Sequence, residues 1–134
     1  MQKLARASLS YMIIGLISGV YFREMTKLND FDGWTQLSVV HTHTLILGMF
    51  FFLIVLLLEK NFNLTKHKNF KKFYITYNIG LGVTLLMLLT HGTMTVLGIE
   101  SSAAISGIAG LGHIILTVGL GFFFQVLLQS IKKD

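Results

Sequence analysis

The sequence predicts an all-α fold, an integral membrane four-helix up-down bundle with both termini cytoplasmic. Hydrophobic residues make up 53% of the 134 residues and charged residues only 13%, which differs strongly from the balance of a soluble domain. The chain contains no proline that would break a helix. Four apolar segments approach or exceed the roughly 20 residues that a helix needs to cross a bilayer. We therefore expect one transmembrane domain over residues 1–134.

The four spans are separated by short polar connections. In chain order, the predicted spans are Leu4–Phe22, Gln36–Leu58, Phe73–Leu97 and Ala103–Ile131. Charged residues bound the first three: Arg23 follows the first, Glu59 follows the second, and Lys72 precedes the third. The fourth begins after the short segment Gly98–Ser102. Connections this short favour antiparallel neighbours.

The positive charges predict the orientation. Apart from Arg23 and Lys27, the cations fall at one end of the predicted bundle: Lys3, Arg6, Lys60, Lys66, Lys68, Lys71, Lys72, Lys132 and Lys133. Cytoplasmic loops carry such an excess, so we expect a multi-pass protein of the plasma membrane. The net charge of +5 then reflects topology. No basic face interleaved with aromatic residues indicates nucleic-acid binding.

Four histidines lie inside the apolar spans, namely His41, His43, His91 and His113. A polar side chain is costly in lipid and usually marks a site in the bundle interior. Counting from the span centres places all four in a slab about 5 Å thick. No acidic or basic side chain accompanies them there, which argues against an ion-coupled transporter or proton relay. His67 falls in the lysine-rich loop, where we interpret it as solvated.

The pair His41-Thr42-His43 has a specific geometry. Residues two apart on an α-helix point about 200° away from each other. The two imidazoles therefore cannot readily bind one metal ion together on a regular helix. If both are ligands, the second helix serves two sites, or one site and a subunit interface.

Histidine ligation without carboxylate or thiolate suits haem iron, copper or zinc, and the chain has no cysteine. A bare divalent ion would bring uncompensated charge into lipid, whereas the porphyrin dianion cancels that of iron(II). We therefore predict non-covalent haem b, with its propionates directed toward Arg23. Copper or zinc on the same histidines is the alternative. A third reading is a structural or assembly subunit whose histidines only hydrogen-bond between helices.

The segment from Val39 to Phe50, VVHTHTLILGMF, resembles the His-x-His helix of the haem–copper oxidase catalytic subunit. That family's subunit has three pseudo-repeats of four helices, and this chain resembles one repeat. It is also similar to small bacterial four-helix membrane proteins with the same His-x-His and Leu-Gly pattern. The resemblance implies that His41 corresponds to the high-spin haem ligand and His43 to the low-spin ligand.

The resemblance is incomplete beyond that helix. His91 is loosely comparable to the paired copper-ligand histidines, but Gly92 follows it where that family has a second histidine. The His-Pro-Glu copper motif and its cross-linked tyrosine have no counterpart, and neither does His113. The resemblance therefore does not imply oxygen reduction.

The expected function is bis-histidine binding of b-type haem in the lipid bilayer, for electron transfer or for gas or redox binding. We expect no substrate turnover, and so favour a protein that is not an enzyme. The opposed facing of His41 and His43 suggests a homo-oligomer. The three-repeat scaffold of the resembling family implies a trimer, with a dimer as the alternative.

Overall fold

The structure is a computed structural model that describes residues 1–132, so the predicted cytoplasmic charge of Lys133 lies outside the described residues. It confirms the all-α fold class, because this part of the chain forms four long helices and no strand. The helices are α1 (Gln2–Leu28), α2 (Leu37–Phe62), α3 (Phe70–Val96) and α4 (Ala103–Ile131). All four are long and apolar enough to cross a membrane.

The first three helices extend beyond their predicted apolar spans. α1 continues to Leu28, so Arg23 and Lys27 lie in its last turns instead of in a loop. An apolar count finds only the membrane-embedded part, whereas a helix continues until its backbone turns away. α2 ends where Asn63 adopts a left-handed conformation, with φ of 50°. α3 is followed by Gly98, whose φ of +67° glycine adopts without steric cost. The bounds of α4 match the prediction.

The helices form two hairpins, α1 with α2 and α3 with α4, and the hairpins meet mainly through α2 and α3. Among the described residues, α1 and α4 do not touch. Glycines permit the close approach of α4 to α3: a Cβ on Gly119 would lie 2.7 Å from the Cα of Tyr77, and one on Gly112 would lie 3.0 Å from the backbone nitrogen of Thr84. This is the packing by small residues that is common between membrane helices.

Aromatic side chains hold the helices together in one half of the bundle. This half contains the loop between α2 and α3, which carries Lys66 and Lys68, and we call it the basic end. The rings of Phe51 and Tyr77 stack with their centroids 4.2 Å apart. Phe123 of α4 meets Phe51 edge to face at 5.2 Å, and Tyr11 of α1 stacks on Phe52 at 5.8 Å. The core of the bundle therefore joins all four helices at the basic end.

α2 contains a π-helical segment, Thr44–Phe50, immediately after the histidine pair. Two carbonyls of this segment accept hydrogen bonds from neighbouring helices. The Tyr77 hydroxyl donates to the carbonyl of Leu47 at 2.8 Å, and the Ser8 hydroxyl donates to that of Met49 at 2.9 Å. Such segments occur frequently at functional sites. The sequence did not predict this one.

Candidate cofactor site

Three of the membrane histidines use the same ring nitrogen for hydrogen bonding. The Nδ1 of His41 lies 2.8 Å from the carbonyl oxygen of Gly15. The Nδ1 of His43 lies 2.8 Å from the carbonyl oxygen of Val39. In His113 this atom lies 3.0 Å from the carbonyl of Ala109. A carbonyl can only accept, so Nδ1 is the donor and Nε2 carries the lone pair. Metal-binding histidines generally have this arrangement, with the second ring nitrogen donating to a carbonyl or carboxylate.

His91 is bonded through its other nitrogen. Its Nε2 lies 3.1 Å from the Ser101 hydroxyl, just before α4. Its Nδ1 is buried without a hydrogen-bond partner among the described residues. An Nε2–H that donates to Ser101 leaves a bare lone pair on Nδ1, which avoids burying an unpaired N–H. The ring of His91 is thus oriented differently from the other three.

His41 and His43 leave α2 toward different neighbours, as their spacing predicts. His41 packs on α1, where its Nδ1 would be 3.1 Å from a Cβ placed on Gly19. His43 lines a shallow groove on α2 together with Thr42, Ile46 and Leu47. The two Nε2 atoms therefore serve different surfaces of the bundle.

His113 is exposed on α4. It shares a helix face with Leu120 and Leu127, which follow at seven-residue intervals. Both leucines pack against the core cluster, which contains residues of all four helices. Among the described contacts, α4 touches α2 only through the part of α2 after the π segment. The described residues that line the groove beside His43 all belong to α2, and α4 has no described contact with this part of α2.

Contacts between helices give the depth of each histidine. Leu37 of α2 lies against Gly92 of α3, and Phe51 lies against Tyr77. On α4, Gly119 lies against the same Tyr77. With a rise of 1.5 Å per residue, these contacts place His43 and His113 within about 4 Å of the same depth. His91 lies about 8 Å further from the basic end than His43. The histidine layer is therefore thicker than predicted, because counting from span centres ignores the stagger of the helices.

Arg23 stands apart from the histidines. Its side chain is 75% exposed, and its Nε lies 3.9 Å from a carboxylate oxygen of Glu24. It follows Gly19 by one turn on α1, so it belongs to the side of the bundle where His41 lies, beyond it along α1. No hydrogen bond joins Arg23 to a histidine among the described residues, and its contact with a propionate stays a prediction.

His67 is not simply solvated, contrary to the sequence interpretation. Its ring is half-buried, its Nε2 donates to the side-chain oxygen of Gln129 at 2.7 Å, and its Nδ1 accepts from the backbone of Asn69 at 3.1 Å. The imidazole fastens the loop to the end of α4. The sequence carries no signal for this contact, since the two partners are 62 residues apart.

The side chains available as metal ligands distinguish between the possible cofactors. Residues 1–132 contain no cluster of three or more histidine, cysteine, aspartate or glutamate side chains that could hold a metal ion. Zinc sites use three or four protein ligands, so a zinc site here would need ligands from several chains. A haem brings four equatorial nitrogens of its own and needs only axial ligands from the protein. One or two free imidazole nitrogens at one place therefore fit haem better than a bare ion.

Comparison with known protein families gives one match over nearly the whole chain. Residues 1–130 match DUF2871, whose description is protein of unknown function. The chain belongs to this family. Searches of curated proteins and of solved structures found no significant match. The resemblance of the His-x-His segment to haem–copper oxidases therefore stays a prediction.

Proposed function

We propose that this protein binds b-type haem in the membrane, with the Nε2 atoms of His43 and His113 as axial ligands. The observation that carries the proposal is the tautomer shared by His41, His43 and His113: each Nδ1 donates to a backbone carbonyl, which leaves Nε2 free. Haem would supply a one-electron redox centre or, with an open axial position, a place for a small gas. No residue pattern indicates substrate turnover.

The surroundings of the two histidines are compatible with a flat apolar group. Ile46 and Leu47 line the groove beside His43. On α4, a Cβ on Gly110 would meet no atom within 4 Å, so the helix leaves space one turn from His113. A bare divalent cation would find no carboxylate here to offset its charge, and this supports haem over copper or zinc.

Exposure of His113 supports a homo-oligomer. An imidazole exposed to hydrocarbon is unfavourable unless another group covers it. A second copy of the chain, or a haem held between copies, would cover it. His41 presents its free nitrogen on the other side of α2, where it would serve a second haem with Arg23 near the propionates. A trimer follows from the resemblance, and a dimer is the alternative.

Single substitutions test the ligands. In haem-loaded protein, His43→Ala and His113→Ala should each abolish the six-coordinate low-spin absorption bands. His67→Ala is the matched control, because His67 lies in the loop: its spectrum should stay that of the wild type. If both ligand variants keep the wild-type spectrum, the assignment is wrong. Copper or zinc bound without a porphyrin spectrum would support the alternative cofactor. A colourless, metal-free protein would favour a structural subunit.

A further inference from the structure

A cleft of about 520 Å³ lies between α1 and α3, and the described residues that line it include no histidine. Val40 and Thr44 of α2 form its floor, Ile14 lies on α1, and Leu86 and Leu89 lie on α3. Its polar groups are mostly satisfied within the protein: the Tyr11 hydroxyl donates to the Asn78 side chain at 2.8 Å, and the Thr44 hydroxyl bonds to its own helix. The remaining surface is apolar.

A second cavity of about 570 Å³ adjoins this cleft at the basic end. Lys3 and Arg6 line it, and Ala7, Ser10 and Tyr74 line both cavities, so the two are neighbours. The Lys3 ammonium lies 4.2 Å from the centre of the Tyr74 ring, which holds this cation at the junction. Among residues 1–132, no acidic side chain lines either cavity.

We infer that this combined site binds an anionic phospholipid, with the phosphate at Lys3 and Arg6 and an acyl chain in the α1–α3 cleft. Basic pockets between membrane helices on the cytoplasmic side are suited to anionic headgroups. A hydrocarbon chain needs an apolar groove of the kind that begins directly beside these cations. A free phosphate would leave the cleft unused, and a neutral lipid would leave the two positive charges unused.

Gly82 offers a way to block the cleft without disturbing the fold. It lines the cleft, and a Cβ there would meet no atom within 4 Å. Gly82→Leu should therefore occupy the acyl-chain groove while the helices stay packed. Gly121→Leu is the matched control, because Gly121 also has no atom within 4 Å of a Cβ but does not line the cleft.

The test is native mass spectrometry of the full chain in mild detergent, titrated with phosphatidylglycerol and with phosphatidylcholine of the same acyl chains. The wild type should bind phosphatidylglycerol about tenfold more tightly than phosphatidylcholine. Replacing both cations (Lys3→Gln with Arg6→Gln) should remove this preference, whereas Lys66→Gln with Lys68→Gln should keep it. Gly82→Leu should weaken phosphatidylglycerol binding by a similar factor, and Gly121→Leu should not.

Equal binding of the two lipids by the wild type would overturn the inference. Wild-type affinity in Gly82→Leu would do the same, as would displacement of the lipid by millimolar inorganic phosphate alone. The outcome is independent of haem, because none of these variants touches a histidine. The absorption spectrum of Gly82→Leu should equal that of the haem-loaded wild type.

Discussion

The free nitrogen of a membrane histidine decides what the side chain can bind. In His43 and His113, the carbonyl four residues earlier on the same helix accepts a hydrogen bond from Nδ1–H. Both Nε2 atoms then point away from the helix backbone. This local bond favours one tautomer before any cofactor arrives, so that Nε2 is the nitrogen available to a ligand.

Single glycines set the distance between α3 and α4. We expect Gly119→Ala to destabilise the protein by about 1–3 kcal/mol, the usual cost of overpacking, because the new Cβ would meet the backbone of Tyr77 at 2.7 Å. The measurement is the unfolding midpoint in detergent, followed by the helical circular dichroism signal.

Gly121→Ala serves as the control for this substitution, since a Cβ at Gly121 would have no neighbour within 4 Å. Its midpoint should differ from that of the wild type by less than about 0.5 kcal/mol. Equal stability of Gly119→Ala and Gly121→Ala would contradict the close packing of α4 on α3.

The sequence predicts some of the histidine geometry but not all of it. The opposed facing of His41 and His43 follows from helix geometry alone, and the structure agrees with it. The partner of His41 is a carbonyl on α1, 26 residues away, and the partner of His67 is a side chain 62 residues away. Contacts of that kind depend on how helices pair, which apolar patterns do not specify.

The element that most shapes the site is the π-helical segment of α2. The Tyr77 hydroxyl donates a hydrogen bond to the carbonyl of Leu47, which lies in this segment. Tyr77→Phe removes that bond and leaves the ring in place. We expect a loss of about 0.5–1.5 kcal/mol in the free energy of unfolding, measured by the same denaturation assay.

Tyr74→Phe is the matched control, because the Tyr74 hydroxyl makes no side-chain hydrogen bond among the described residues. Its unfolding midpoint should stay close to that of the wild type. If both tyrosine variants lose the same stability, the Leu47 bond does not support the π segment.

Element boundaries show the limits of hydropathy. The fourth span was predicted correctly because small polar residues and Gly98 separate it from the third. α1 was predicted too short, since Arg23 ended the apolar count although nothing ends the helix there. The π segment was missed because its supporting bonds come from α1 and α3.

At the scale of the whole molecule, the two ends of the bundle differ in packing. Aromatic rings of all four helices interlock at the basic end. Toward the other end α4 contacts only α3, and most residues of its first turns are exposed. The histidines His43 and His113 lie beyond the aromatic core, and His113 is exposed there.

The central claim is that the membrane histidines hold haem, and the most direct measurement is the absorption spectrum of the purified protein with its iron, copper and zinc contents. We expect protein from haem-replete cells, or apoprotein given hemin, to show a Soret band and sharp reduced bands typical of bis-histidine haem. Iron should accompany the haem in equal amount. Protein that shows no Soret band after both treatments would contradict the account.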